Sequence, residues 1–500
     1  MPVGSSVTMD GAEVQMNSAV ERVELAPGFT ISRVATGFWQ IADMERDGEE
    51  LDLEWTSAAL APYLDAGFTT FAVADHYGSA EVIAGRFQAC HERGSQSQIL
   101  STWVPEPGLI TFEDVRAAVR RSLDRMGAER IDLLQFDAWS YADPAWLDCL
   151  FWLQDLKDEG LIGHVGLANF DTAHLRIALT SGIDVVSNQV SYSLIDQRAR
   201  ARMTELCLEH GVKLLAFGCV AGGLLTERWL GAPRPALEDL TTWAETKYWR
   251  YIQKAGGWDA FQHVLEALGD VASRRNVSIA NVACRYMLDQ PAVGAIIIGA
   301  RIGEEEHIRD NLGVFEFALT KKNRSDIDYA LTSLEPLPGD CGDEYRKAPF
   351  LTATGEAPRN SDTFPRPYET KRGVDRRAMV LTGTAWEETA GFSRAVRQGR
   401  YVWVSGTTAI HRSRVMGGAD PEAQAHFVID KIEGALWAVG SKLEDVVRTR
   451  VYIRDASMWE AVARVHGERF GHILPANTMI QAGLIGDGYL VEIDAEAALP

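Results

Sequence analysis

The sequence predicts an α/β protein: a closed (β/α)8 barrel of the TIM type followed by a small α+β domain. From about Val23 to Phe317, eight short apolar strands alternate with amphipathic helices, the pattern of a parallel sheet closed on itself. Glu335–Arg372 is rich in Pro, Gly and charge and has no sustained period. Beyond it the order becomes strand, helix, strand, helix and two strands, which suits a mixed sheet with helices on one face. A chain of 500 residues exceeds one compact core, so two domains are expected on length as well.

The barrel strands are expected at Thr36–Trp39, Thr69–Val73, Gln98–Thr102, Asp132–Phe136, His164–Leu167, Val185–Gln189, Lys213–Phe217 and Ala295–Ile298, with helices such as Phe112–Met126 and Trp258–Arg274 between them. A doubly wound open sheet is the weaker alternative, because no GxGxxG follows the first strand. In the second domain, Tyr401–Ser405, Val446–Ile453, Met479–Leu484 and Tyr489–Ala495 read as strands, and Glu422–Val439 and Trp459–Phe470 as helices. The expected boundaries are a flexible tail over 1–22, the barrel over 23–334, a linker over 335–376 and the second domain over 377–500.

The formal net charge is -21. That acidity argues against nucleic acid or an anionic membrane as a partner, since a phosphate surface would be repelled. Six scattered cysteines with no CxxC pair fit a reduced, cytoplasmic compartment and give no metal site. The first residues lack the basic and apolar regions of a signal peptide, and no run of roughly 18 apolar residues exists to span a membrane.

In such a barrel the chemistry sits at the C-terminal ends of the strands. The segment GFTTFAVADHYGSAEVIAG (67–85) resembles the F-D-T-A-x-x-Y-G…S-E-x-x-x-G motif of the aldo-keto reductase family. RRSLDRMGAERIDLLQF, VGLANF, NQVSYSLID, FGCVAGGLL and IIIGARIGEEEHIRDNL follow in that family's order, over about 300 residues. The resemblance implies NADP(H) binding and a catalytic Tyr supported by Lys, Asp and His. Tyr77 stands at the Tyr position, but Ala72, Thr102 and Asp137 stand at the Asp, Lys and His positions.

With no Lys beside it, the Tyr77 phenol is expected near its ordinary value of about 10, a neutral hydrogen-bond donor. A carboxylate at Asp137 adds negative charge where hydride transfer would build more, which opposes reduction. The same carboxylate, once desolvated, suits a general base. Tyr77 as acid and Asp137 as base therefore point to elimination, isomerisation or cyclisation on a specialised metabolite. Two alternatives stand beside this: an NADPH-dependent carbonyl or imine reductase using another donor, and a non-catalytic NADP(H)-binding scaffold. His76, Trp103 and Trp139 are candidates for the pocket wall, with core or surface packing as the competing explanation for each.

The resemblance further implies that Asn169 and Gln189 hold the nicotinamide carboxamide and that Tyr192 stacks on its ring. It places the pyrophosphate against Gly218, Val220, Gly223 and Leu224. Arg301 would meet the 2′-phosphate, and His307 and Asn311 the adenosine. The cofactor need not be consumed. In the second domain, VWVSGTT, GADPEAQ, VRTRVYIRD, PANT and LVEIDAEA resemble the RidA/YjgF family over about 120 residues. Glu492 matches that family's Glu, whereas Asn477 replaces its carboxylate-binding Arg and Met479 a frequent Cys. The resemblance implies a homotrimer, with the domain acting as scaffold before enzyme.

Overall fold

The computed structural model describes residues 20–41, 50–302, 307–347, 364–373 and 375–500. Residues 1–19 of the expected tail and 348–363 of the expected linker lie outside the described residues.

The chain opens with an antiparallel hairpin, β1 (Arg22–Ala26) and β2 (Phe29–Ser32). The barrel strands follow: β3 (Val34–Gly37), β4 (Thr70–Ala74), β5 (Gln98–Trp103), β6 (Ile131–Phe136), β7 (Ile162–Ala168), β8 (Val185–Ser191), β9 (Lys213–Phe217) and β10 (Val293–Gly299). All pair in parallel, and β10 closes on β3. The eight expected strands are these eight, displaced by a few residues. The first ends at Gly37 because a 3-10 turn begins at Trp39. The hairpin is absent from the expectation. Its Leu25 and Ile31 join Leu100, Leu133, Val186, Leu215 and Ala295 in one buried cluster, so it stoppers the end of the barrel where the strands begin. The opposite end is left for chemistry.

The helix Phe112–Met126 illustrates how local sequence builds the outer ring. Thr111 and Asp114 form a capping box, Val115, Ala118, Val119, Ser122, Leu123 and Met126 fall on the buried face, and Gly127 ends the helix at φ 63°. Among the described residues no helix is long and apolar enough to cross a membrane.

The second domain contains β11 (Glu369–Arg372), β12 (Ala378–Leu381), β13 (Ala395–Gln398), β14 (Tyr401–Thr408), a small hairpin of β15 (Ile410–His411) and β16 (Arg414–Val415), then β17 (Val446–Ile453), β18 (Ala476–Gln481) and β19 (Val491–Ala498). Seven of these form one sheet in the order β11-β12-β13-β14-β19-β17-β18. The sheet is mixed because β18 pairs in parallel with β17. β11 comes from the stretch expected to be linker; it zips onto β12 as a fully exposed edge.

The two domains meet across the helices Thr172–Thr180 and Pro421–Ala438. Arg176 pairs with Asp420 at 2.9 Å, and Asp148 receives His411 and Arg412, each at 3.0 Å. His174 lies between Asp171 (2.6 Å) and Asp430 (3.0 Å), with the Tyr141 ring stacked 3.4 Å away. Gly434 lets the helix Pro421–Ala438 approach the barrel, since a Cβ there would strike the carbonyl oxygen of Ala142.

Gly434→Ala separates packing from propensity. A helical Gly→Ala change ordinarily gains about 1 kcal/mol, and this is expected at Gly467, where a Cβ meets nothing within 4 Å. At Gly434 the overlap is expected to reverse the sign, with a loss of about 1–3 kcal/mol, measured by urea melts of the two variants side by side.

Candidate functional site

The strand ends are locked together beyond the last ladder bonds. Backbone N–H groups of Asp75, Asp137, Asn169 and Tyr192 donate to the carbonyls of Thr102 (2.9 Å), Trp103 (3.1 Å), Gln189 (2.8 Å) and Phe217 (3.1 Å) on a neighbouring strand. Side chains leaving these positions are therefore held at defined places around the mouth.

Asp137 follows β6 directly. Its carboxylate accepts from Asn169 Nδ2 at 2.7 Å and from an Arg346 terminal nitrogen at 2.8 Å. Arg346 also donates to the carbonyls of Ala138 (2.7 Å) and Asn169 (2.6 Å), so its whole fork is used. It closes the short helix Asp343–Arg346, within the stretch expected to be linker. Gly342, just before it, has φ 78°, and a Cβ there would fall on the Asn169 carbonyl oxygen. Only glycine satisfies both constraints. The preceding side chains are anchored too. Glu344 is buried against Arg198 at 2.9 Å, and the Tyr345 hydroxyl accepts from Lys247 Nζ at 2.6 Å. Residues 339–347 thus strap the barrel mouth instead of merely spacing two domains.

Burial pushes the Asp137 carboxyl above the usual carboxylate range, against the opposing pull of Arg346 and Asn169. Tyr77, packed edge-on against Trp39 at 5.2 Å and His76 at 4.7 Å, departs from the expected ordinary phenol. Burial, with the carboxylates of Asp137 and Asp75, drives it higher and keeps it neutral. His76 lies on the rim, exposed and bonded to Asp75 at 3.0 Å. Trp103 is 6 % exposed and packs on Phe136, and Tyr192 is fully buried, so neither ring offers a face to solvent. Trp139 donates to the Pro105 carbonyl at 2.9 Å and lines a small cavity shared with Trp437 of the second domain.

Asn169, at φ 57°, keeps a buried Oδ1 with no hydrogen-bond partner, a vacancy that fits a carboxamide N–H. Gln189 accepts from Gln135 Nε2 at 2.8 Å, and Gln135 also reaches Thr102 Oγ1 at 3.2 Å. Gly218, Val220, Gly223 and Leu224 form the turn after β9. Gly218 (φ 83°) passes under the Tyr248 ring, while a Cβ at Gly223 would meet open space. Arg301 and His307 are exposed and Asn311 is half-buried in the helix Ile308–Gly313; residues 303–306 of this motif lie outside the described residues. An exposed guanidinium at that place suits a phosphate.

In the second domain Asn477 donates to Thr449 Oγ1 at 2.9 Å from the edge strand β18, which also carries Met479. Glu492 lies half-buried on β19, its carboxyl pushed up by burial against the pull of Arg394. Arg394 itself is buried and donates to Gly406 O (2.7 Å) and Thr407 Oγ1 (3.0 Å).

Sequence reasoning missed Lys247, Tyr345 and Arg346. Lys247 lies in an amphipathic helix and the other two in a charged, Gly-rich stretch, and nothing local marks any of them.

Compared with known proteins, residues 33–332 match the family described as aldo/keto reductase, and residues 382–499 match that described as endoribonuclease L-PSP, the RidA/YjgF type. The barrel is similar to the chloroplastic pyridoxal reductase of Arabidopsis thaliana, 24% identical over 329 residues, covering 62% of this chain and 86% of that protein. It is also similar to the NADH-specific methylglyoxal reductase of Escherichia coli, 24% identical over 327 residues, covering 60% and 94%. A crystal structure of a YjgF/YER057c/UK114 family member from Mycobacterium tuberculosis is 44% identical, covering 25% of this chain and 99% of that one, with a TM-score of 0.23.

Arg346→Met leaves the half-buried Asp137 without its cation and two carbonyls without their donor, and an expected loss of about 3–5 kcal/mol follows at neutral pH. The sign with pH is fixed by the raised carboxyl. Ionising it is penalised in the folded state, so the carboxylate's share of the deficit is absent below the unfolded value of about 4 and appears as pH rises through the folded value, while the share from the Ala138 and Asn169 carbonyls persists at every pH. Urea melts of both proteins from acid to neutral pH are expected to show the gap narrowing on acidification.

Proposed function

We propose that this chain, which belongs to the aldo/keto reductase family, is an NADP(H)-binding enzyme whose barrel performs acid–base chemistry (elimination, isomerisation or cyclisation) on a specialised metabolite. One observation carries the reading: a half-buried, cation-paired carboxylate, Asp137, stands at the mouth where the family pattern has a His. Thr102 and Ala72 leave no Lys–Asp pair on β5 and β4 to acidify Tyr77. A desolvated carboxylate of raised affinity for protons is suited to take a proton from carbon. Arg346 and Asn169 hold it in place, and Tyr77, kept neutral, is suited to donate a hydrogen bond to the substrate oxygen.

Asn169 and Gln189 would hold the nicotinamide carboxamide, the β9 turn the pyrophosphate, and Arg301, with His307 and Asn311, the adenosine end. NADP(H), when bound, supplies a hydride donor, and in this reading it need not be spent. The orphaned Asn169 Oδ1 and the exposed Arg301 support this assignment. The second domain would act as scaffold. Its β14 leaves Tyr401 and Trp403 half exposed side by side, 6.1 Å between ring centres, a surface suited to assembling three copies through this domain.

The test is incubation of the protein with hydroxyacetone and phenylacetone in heavy water, with and without NADPH. Proton NMR follows loss of the α-proton and absorbance follows NADPH. Exchange without cofactor consumption is expected, with Asp137→Asn slower by about 10²–10⁴-fold. NADPH oxidation matched to product, or an Asp137→Asn variant as fast as wild type, would overturn the reading. For the assembly, sedimentation is expected to give a trimer that Trp403→Asp converts to monomer. A monomeric wild type would remove that part.

A further inference from the structure

The strap and the helix Trp243–Lys254 bring together a second pair of titratable groups that the Tyr77–Asp137 chemistry does not use. Lys247 is 8 % exposed. Its ammonium lies 4.9 Å from the ring centre of Phe217 and 4.8 Å from that of Tyr345, with Tyr248 and Tyr251 at 5.6 and 5.7 Å. Cation–π attraction in this box offsets part of the cost of burying the charge. Lys247 donates a hydrogen bond to the Tyr345 hydroxyl at 2.6 Å. The Tyr345 phenol feels the charges of both Tyr77 and Asp137, which places the Lys247–Tyr345 pair within electrostatic reach of the proposed base.

The two phenols at this mouth differ in a way that matters for proton donation. Tyr77 has carboxylates near it and Thr102 where a cation would acidify it. Tyr345 has an ammonium on its oxygen. Burial, Glu344, Tyr248, Tyr77 and Asp137 keep the resting Tyr345 phenol protonated. As it gives up its proton, the Lys247 hydrogen bond strengthens and holds the phenolate, which is stabilisation delivered where charge develops. Burial pushes the Lys247 ammonium down to about 8, against Glu344 and Asp196, with Arg198 adding to the depression.

We propose that Tyr345, hydrogen-bonded by Lys247, is the proton donor of the barrel's centre, and that it serves a carbonyl substrate bearing an acidic α C–H. This rests on the acid–base reading above. The Asp137 carboxylate takes the α-proton, and the C–H electron pair forms the enol C=C. The carbonyl π pair moves to oxygen, and that oxygen takes the Tyr345 proton while Tyr77 donates a hydrogen bond to it. Lys247 holds the resulting phenolate, and reversal returns both protons; no electrons are gained or lost. Tyr345 is the catalytic residue and Lys247 its positioning residue.

The experiment is the same heavy-water exchange of hydroxyacetone and phenylacetone, run against pH with Tyr345→Phe, Lys247→Met, Lys247→Arg and Asp137→Asn. Wild-type exchange is expected to fall above about 8, as Lys247 loses its proton. Tyr345→Phe is expected to slow exchange by about 10²-fold or more. Lys247→Met is expected to be slow with that alkaline fall abolished, and Lys247→Arg to recover part of the rate with the fall moved upward. A merely structural anchor would not move the pH profile in this way. If wild type and Asp137→Asn behave as expected but Tyr345→Phe or Lys247→Met keeps the wild-type rate and profile, the pair is overturned and the Asp137 reading stands. If wild type itself gives no exchange, both fall.

Discussion

The ion pair between Asp137 and Arg346 is the contact on which the barrel mouth depends. A carboxylate at the end of a barrel strand, largely withdrawn from water, is costly unless a cation and further hydrogen bonds meet it. The cation does not come from the barrel strands. It comes from the chain leaving the barrel, which must fold back across the mouth to deliver it. Once Arg346 is placed, its remaining donors fix the Ala138 and Asn169 carbonyls, and Gly342 has to pass against Asn169 where no side chain fits. One charge requirement thereby organises the strap, the strand ends and the glycine that permits the crossing.

The same requirement shapes what the mouth can do. Set against the reductase pattern, Ala72 and Thr102 drop one carboxylate and one cation and Asp137 puts a carboxylate where that pattern has a His, so these positions carry net negative charge. Arg346 and Lys247 restore positive charge from new directions, one on the base and one on a phenol. The centre is thus rebuilt with its cations displaced, not emptied of them. A site with a paired carboxylate and two phenols is matched to shuttling protons, and the Asn169 and Gln189 carboxamides and the exposed Arg301 guanidinium are compatible with a cofactor beside it.

The strap also ties the mouth to the second domain. The Arg346 guanidinium lies 4.7 Å over the Tyr141 ring, Tyr141 stacks on His174, and His174 bridges Asp171 to Asp430 of the neighbouring domain. Burial opposes charge on His174, but the two carboxylates outweigh it and raise its affinity for a proton. The stability this network contributes is therefore present below the ordinary imidazole value and lost as pH rises through the folded one. On the acid side, Asp171 and Asp430 are depressed, burial being outweighed by His174 and Arg469, so their contribution is lost only as pH falls through their folded values. The domains are held by charges that need one another, in contact with the residues that hold Arg346.

The alternation of apolar strands and amphipathic helices was enough to read a closed barrel, because that pattern is a local property repeated eight times. Tyr77, Asp137, Ala72 and Thr102 could be named as candidates for a different reason: each falls inside a recognisable motif, with Ala72 within β4, Tyr77 in the turn after it, Thr102 near the end of β5 and Asp137 just beyond β6. The β1–β2 hairpin, β11 and the strap were not, since short segments of four or five residues carry no period and take their structure from what they pack against. Lys247, Tyr345 and Arg346 lie far apart from Asp137 in sequence, and a Gly-rich charged stretch looks the same whether it spans solvent or crosses a barrel mouth. The sequence by itself determined the architecture. Only the tertiary structure decided which distant cations meet Asp137 and Tyr345, because a charge withdrawn from water selects its partner by geometry in space and not by spacing along the chain.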